Sequence, residues 1–184
     1  MSSIPTLSTA RLRLRAFTLA DLDAYAAMCA DAEVMRHIGT GGPVARDVAW
    51  RQMALFLGQW ALLGYGTWAV ELRAERRLIG RVGFLHPEGW PGNELAWLLA
   101  RDAWGHGYAK EAALAARSFG RDALGVGELI SLVREDNVRS IKLAQSLGAV
   151  NSGPQEFMGS PAWVFVHAVA APAVPAATRS ASGA

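Results

Sequence analysis

Residues 11–17 read RLRLRAF, with Leu12 and Leu14 alternating against Arg11, Arg13 and Arg15. A period of two predicts a strand whose leucines turn inward. A helix should follow, since Thr18 can cap it, Asp21 falls in its first turn, and Leu22, Tyr25, Ala26 and Cys29 mark an apolar face. Residues 39–43, GTGGP, then break the chain. Beyond them Ala49, Met53, Phe56, Trp60 and Leu63 step by four and three, which predicts a second helix with a core-facing stripe.

The period then returns to two. Trp68, Val70 and Leu72 alternate against Thr67, Ala69 and Glu71, a turn falls at residues 74–76, and RLIGRVGFL (77–85) reads as the hairpin partner. A loop of residues 86–93 leads into a third consecutive strand, ELAWLLA (94–100), so the middle of the chain is expected to be an antiparallel meander. Ala109, Ala112, Ala116, Phe119 and Ala123 predict a long helix, and residues 128–135 a buried strand joined to the preceding one through it. That is a βαβ unit and requires a parallel pair. Residues 136–148 supply another helix, capped by Asp136 or Asn137 and stopped by Gly148 in the left-handed region, and residues 162–169 a last strand. The fold class is α/β (α+β), one mixed central sheet of about six to seven strands with flanking helices. Residues 1–169 form one domain; residues 170–184, alanine, proline and serine without periodicity, are expected to be a disordered tail.

Composition narrows the partners. A chain of 184 residues buries a sizeable core without staples, and the single cysteine, Cys29, sits in a helical apolar pattern as a small core residue. The N-terminus lacks the apolar block of a secretory signal, and nowhere do about eighteen apolar residues run uninterrupted, so a cytoplasmic protein without membrane attachment is expected. The formal charge of +2 is carried by dispersed basic residues, without the stripe or the interleaved aromatics of a nucleic-acid binder. No metal site is expected.

The candidate chemistry lies at Gly105 and Gly107, where the third meander strand meets the long helix. The first amides of a helix lack intrahelical acceptors and carry the positive end of its dipole; glycines before them admit an anion and let successive N–H groups converge on it. The junction is a candidate pyrophosphate seat, although a G-x-G pair also makes plain tight turns. Lys110 stands where a dinucleotide fold needs a third small residue, and no Gly-Lys-Ser/Thr follows, which removes the NAD and Walker-loop readings.

Three stretches in order, LSTARLRLRAFTLADLDAY, ELAWLLARDAWGHGYAKEA and EDNVRSIKLAQSLGA, resemble the GNAT acetyltransferase superfamily over about residues 8–169, and most the RimJ/RimL-type branch that includes N-terminal acetyltransferases of ribosomal proteins. The resemblance implies acetyl-CoA as donor. Its pyrophosphate would lie on the backbone from Gly105 through His106, Gly107 and Tyr108 to Ala109, after Trp104, and its pantetheine arm would pair along Trp97, Leu98 and Leu99 as a short added strand. Asn137 occupies the position that binds the pantetheine arm, with Ser140 one turn later. Two departures stand out. Asp102 replaces the family's glutamine or arginine three residues before the first glycine, with Arg101 one place early, and Ala144 replaces the tyrosine seven residues after the asparagine that protonates the leaving thiolate.

Acetyl transfer to an amine requires donors for the carbonyl oxygen and a group that takes the amine proton. Glu94, at the start of the strand expected to hold the thioester, is the first candidate base, and His86 across the loop the second; Ser140 is a candidate for assisting the thiolate. The acceptor pocket is expected around Arg36, His37, Gly39 and the loop at Trp90, for an N-terminal amine of a protein or peptide or a small-molecule amine. The alternative is a catalytically silent CoA-binding sensor or interaction module. The chain is expected to be a monomer or homodimer.

Overall fold

The computed structural model describes residues 3–124 and 128–168. The elements run β1 (Leu7–Ser8), β2 (Leu12–Arg15), α1 (Leu22–Ala30), α2 (Ala32–Met35), α3 (Arg46–Leu63), β3 (Thr67–Leu72), β4 (Arg77–Leu85), β5 (Glu94–Leu99), α4 (Tyr108–Leu124), β6 (Leu129–Val133), α5 (Val138–Ser146), β7 (Val150–Phe157) and β8 (Ser160–His167). All strands join one sheet in the order β1-β2-β3-β4-β5-β6-β8-β7. Neighbours are antiparallel except β5 and β6, which run parallel and are joined through α4.

The sheet has eight strands, not the six to seven expected. β1 is two residues long, too short to show a period. β7 is an edge strand containing Gly153 and Pro154, mostly exposed along its length, so no buried face imposes an alternation on its sequence. The tail expected from residue 170 onward lies outside the described residues.

Both faces of the sheet are covered. Against one face pack Ala112, Ala113 and Ala116 of α4, meeting Leu95 and Leu99 of β5 and Val82 and Phe84 of β4. Against the other pack Tyr25 and Cys29 of α1 and Met53 and Phe56 of α3, meeting Ala69, Ala96 and Leu98. This explains why β3 and β4 are buried almost throughout even where their sequences alternate. Glu71 of β3, buried by that cover, is neutralised by Arg13 (2.9 Å) and Arg15 (2.7 Å), and Arg15 also reaches Asp21 at 2.7 Å. Asp21 in turn accepts from the Thr18 amide at 2.8 Å, so the RLRLR strand and the start of the first helix are tied together.

At α5 the cap is Asn137, whose side chain accepts from the Ser140 amide at 3.2 Å. The helix stops at Gly148, with φ of 79°.

Candidate active site

The site begins as a break in the sheet. β5 and β6 share a single register pair, Glu94 opposite Ile130, with the Ile130 amide donating to the Asn93 carbonyl at 2.9 Å. One step further the Ser131 hydroxyl, not a backbone amide, donates to the Leu95 carbonyl at 2.6 Å. Since that hydroxyl has one proton, the 2.9 Å contact from His167 Nε2 to Ser131 Oγ must be donated by the ring. Burial, helped by the charge of Arg117, lowers the His167 pKa to about 4 and keeps the ring neutral. A side-chain link thus replaces the ladder where the two strands part.

Parting leaves an unpaired strand edge. The Ala100 amide bonds to Ile79 on β4, while the carbonyls of Leu95 and Leu99 are taken by Ser131 and by the Trp104 indole (2.9 Å) on the opposite side. By the alternation of a strand, the N–H and C=O of Trp97, midway between those carbonyls, also point away from β4 and into the gap. The Trp97 indole N–H donates to Ser140 Oγ across the gap at 3.1 Å, leaving the serine proton free to donate elsewhere.

The glycine junction is held in place from a distance. Gly105 and Gly107 adopt φ of 80° and 78°, and a Cβ on Gly105 would meet only open space. The first intrahelical bond of this turn runs from the Glu111 amide to Gly107 O at 3.1 Å, so the amides of Tyr108, Ala109 and Lys110 precede the ladder. Arg11 donates to the His106 carbonyl at 2.9 Å and lies 4.5 Å over the Tyr108 ring. Glu111 receives Thr9 Oγ1 (2.6 Å), the Arg11 amide (2.9 Å) and Arg11 Nε (2.7 Å). Burial alone would raise this carboxyl, but the hydrogen bonds from Thr9 and Arg11 outweigh it and hold its pKa below the usual range. The Arg11–Glu111 clamp was not anticipated from sequence. Its only signal there was the basic alternation of residues 11–15, which does not say that a partner waits 100 residues away.

Two cavities meet at the gap. One, of about 350 Å³, lies between the splayed edge and the helix starts, lined by Trp97, Leu98, Leu99, Trp104, Gly105, Gly107, Tyr108, Ala109 and Asn137. Lys110, Arg139 and Lys142 make its wall basic, with the Arg139 guanidinium 3.9 Å from the Trp104 ring centre. The other, of about 320 Å³, lies on the α1–α3 face and is lined by Gln52, Phe56, Arg81, Trp90, Glu94 and Phe157 among others. His37, Ile38, Trp97, Asn137 and Ser140 border both.

Glu94 is 8% exposed and accepts from the Trp90 indole at 2.8 Å. Burial pushes its pKa above the usual carboxylate value, against the lowering effects of the Trp90 indole, the Arg81 charge and the Leu132 amide. It is therefore a buried carboxyl and not a surface charge at a strand end.

A family model described as an acetyltransferase (GNAT) domain matches residues 11–150. The chain belongs to the GNAT acetyltransferases. It is 32% identical to a solved acetyltransferase from Agrobacterium tumefaciens str. C58, over 90% of this chain and 95% of that one, with a TM-score of 0.79. It is 28% identical over 150 residues to the uncharacterized N-acetyltransferase YoaA of Bacillus subtilis (strain 168), covering 81% of this chain and 85% of that protein. The ribosomal-protein-S5-alanine acetyltransferase of Vibrio fischeri shares the fold, with a TM-score of 0.72 over 90% of this chain and 97% of that one, at 15% identity.

GNAT enzymes use acetyl-CoA. The residues here fit that donor, with a free strand edge at Trp97, a glycine junction uncrowded at both Cβ positions, and a basic wall. The two departures from the family pattern have structural outlets. Asp102 turns away to Arg77 at 2.9 Å, and Arg101 to Asp31 at 2.6 Å. Ala144 is fully buried in a small cluster with Val133, Ala149 and Phe165, where a tyrosine would need a different core.

His86 borders neither cavity. Its Nδ1 lies 3.1 Å from Tyr65 Oη, and its amide bonds to Gln59 at 3.1 Å, so it belongs to the structural network behind the loop. His106 is exposed and stacks on Tyr108; its carbonyl, not its ring, is engaged by Arg11. Of the expected acceptor-side residues, His37, Gly39 and Trp90 line the second cavity and Arg36 does not. His37 Nε2 lies 3.2 Å from Asp136 Oδ2 without the alignment of a hydrogen bond. Among the described residues no cluster of His, Cys, Asp or Glu can hold a metal ion, and no helix is long and apolar enough to cross a membrane.

Proposed function

We propose that the protein transfers an acetyl group from acetyl-CoA to a primary amine by direct attack in a ternary complex, with the donor in the cavity of the glycine junction and the amine entering beside Glu94. The observation that carries this reading is the meeting of the two cavities at a strand edge whose Trp97 amide and carbonyl are free.

The thioester supplies an activated acyl carbon: the amine nitrogen bonds to it, the C–S bond breaks, and a thiolate departs. The chain's own groups do the rest. The amides of residues 105–109 and the basic residues Lys110, Arg139 and Lys142 hold phosphate, and the edge of β5 at Trp97, Leu98 and Leu99 aligns the pantetheine arm. A backbone N–H held rigidly in the sheet stabilises charge developing on a carbonyl oxygen. Trp97 lies three positions after Glu94, about 10 Å along the strand, so Glu94 takes the amine proton directly from an acceptor lying between them or through a bridging water. Its raised pKa brings it nearer neutral pH, where a base is effective. The Ser140 hydroxyl borders the gap from the α5 side and can donate a hydrogen bond to the departing thiolate, which takes its proton from solvent.

Calorimetric titration with acetyl-CoA, followed by thiol release with a panel of amines, tests the reading. Micromolar binding that is lost in Gly107→Val, together with amine-dependent thiol release, is the expected result. Failure of the folded parent to bind acetyl-CoA overturns the donor assignment; binding without transfer to any amine returns the protein to a silent CoA-binding module.

A further inference from the structure

The acceptor-side cavity contains a buried guanidinium that makes no salt bridge. Arg81 of β4 is only 7% exposed and lines that cavity, and its Nε and Nη1 have no hydrogen-bond partner in the fold. Phe56 lies 5.1 Å from its guanidinium carbon, which offers the charge a ring face but no acceptor. A buried guanidinium left in this state is costly and is ordinarily matched by a carboxylate. The second guanidinium of the cavity, Arg134, is engaged only by neutral carbonyls, Gly39 O at 2.9 Å and Phe157 O and Pro161 O at 3.3 Å. His37 adds a third basic group, whereas among the described residues the sole acid lining this cavity is Glu94, which accepts from Trp90 and whose pKa is raised by burial against the lowering charge of Arg81. The cavity is therefore electropositive, an unexpected setting for a simple cationic amine.

We propose that the acceptor is a small amino acid, whose carboxylate pairs with Arg81 and whose amine faces the gap at Trp97. This rests on the acetyltransfer reading and deepens it. Two features favour a small molecule. The cavity volume of about 320 Å³ lies at the small end of ligand sites. The Trp90 and Phe157 rings, from the loop before β5 and from β7, also meet edge to face with centroids 4.7 Å apart and form part of its wall. Arginine suits the task because its planar fork matches a carboxylate.

The test compares α-amino acids and longer ω-amino acids with their carboxamides in thiol release from acetyl-CoA, for the parent and for Arg81→Met, which keeps an unbranched stem without the charge. The parent is expected to turn over at least one free acid at least 50-fold better than its amide. Arg81→Met should bring that acid down to the level of the amide, with acetyl-CoA affinity within twofold of the parent and a melting temperature equal or higher, because an unpaired buried charge has been removed. Equal turnover of acid and amide by the parent, an acid preference that survives in Arg81→Met, or no turnover of any amino acid by a parent that binds acetyl-CoA overturns the proposal. Loss of acetyl-CoA binding by the parent itself overturns the reading beneath it, so the two failures are distinct.

Discussion

The two halves of the cleft are built from different materials. The donor-side half is largely backbone: helix-start amides, two glycines with φ near 80° and a strand edge left open by the splay. The acceptor-side half is side chains, brought together from the α2–α3 loop, α3, β4, the loop at Trp90, β5 and the β7–β8 hairpin. A site made of backbone can be specified by a short local run of sequence, whereas a site made of side chains exists only once the sheet has assembled. The first half should therefore respond to changes of conformation and the second to changes of chemistry.

The largest separation is expected from Glu94→Gln. The amide keeps the shape and can still accept from the Trp90 indole, but it cannot take a proton, so kcat/KM for the amine should fall by about 100-fold or more. Acetyl-CoA affinity should stay within twofold by calorimetry, because Glu94 borders only the acceptor-side cavity. A comparable loss of acetyl-CoA affinity would mean that the halves are not separable. The pH response sharpens the point. Burial raises the Glu94 pKa in the folded protein, so between the unfolded and folded values the native state binds the extra proton, and stability is lost as pH rises through that window. Glu94→Gln should therefore melt higher than the parent above the window and match it below, while the rising limb of the parent's pH–rate profile disappears.

Gly107→Val addresses the other half. A β-branched residue at φ of 78° is strained by about 2–3 kcal/mol, which weakens acetyl-CoA binding by roughly 30- to 150-fold if the loop must hold that conformation to bind. A Cβ there meets only Arg11 Nη2 at 3.6 Å, so crowding is not the cause. Gly107→Ala should fall between valine and the parent. If alanine and valine both bind normally, the junction is a turn and not a phosphate seat.

The same division decides what could be read from sequence. The meander, the βαβ crossover, the cap at Asn137 and the stop at Gly148 were legible because each rests on a local period or on one residue with a special φ. β7 was not, because an edge strand with solvent on most of its length needs no apolar alternation. At the site, the glycine junction, the edge at Trp97 and the carboxylate at Glu94 lie within 16 residues and could be picked out together. Arg81 could not. In RLIGRVGFL it is one arginine in a strand, and its burial follows from the packing of α3 over β4, which no local pattern encodes. His86 illustrates the converse: proximity in sequence to Glu94 suggested a shared role, but the chain reverses between them and the side chains end in different networks.

Ser140→Ala tests the seam where the halves meet. Its hydroxyl borders both cavities and receives the Trp97 indole, and it is the one side chain proposed to act on the departing group. Losing a hydrogen bond of this kind is worth about 0.5–1.5 kcal/mol, so kcat should fall by roughly 2- to 12-fold with little change in acetyl-CoA affinity. A fall in affinity with kcat unchanged would make Ser140 a donor-binding residue only.

The smallest effect should come from His86→Ala, and its smallness is informative. The ring contacts Tyr65, whose own proton goes to Asn93 at 2.9 Å, and that network lies outside both cavities. Removing it should cost the fold about 1 kcal/mol, a fall of about 2–4 °C in melting temperature, and leave kcat/KM within twofold. A hundredfold loss of kcat/KM with acetyl-CoA binding intact would mean that the proton leaves by way of this network instead of Glu94. The acceptor would then have to approach from the Tyr65 side, and the division of the cleft at Trp97 would no longer describe how the enzyme works.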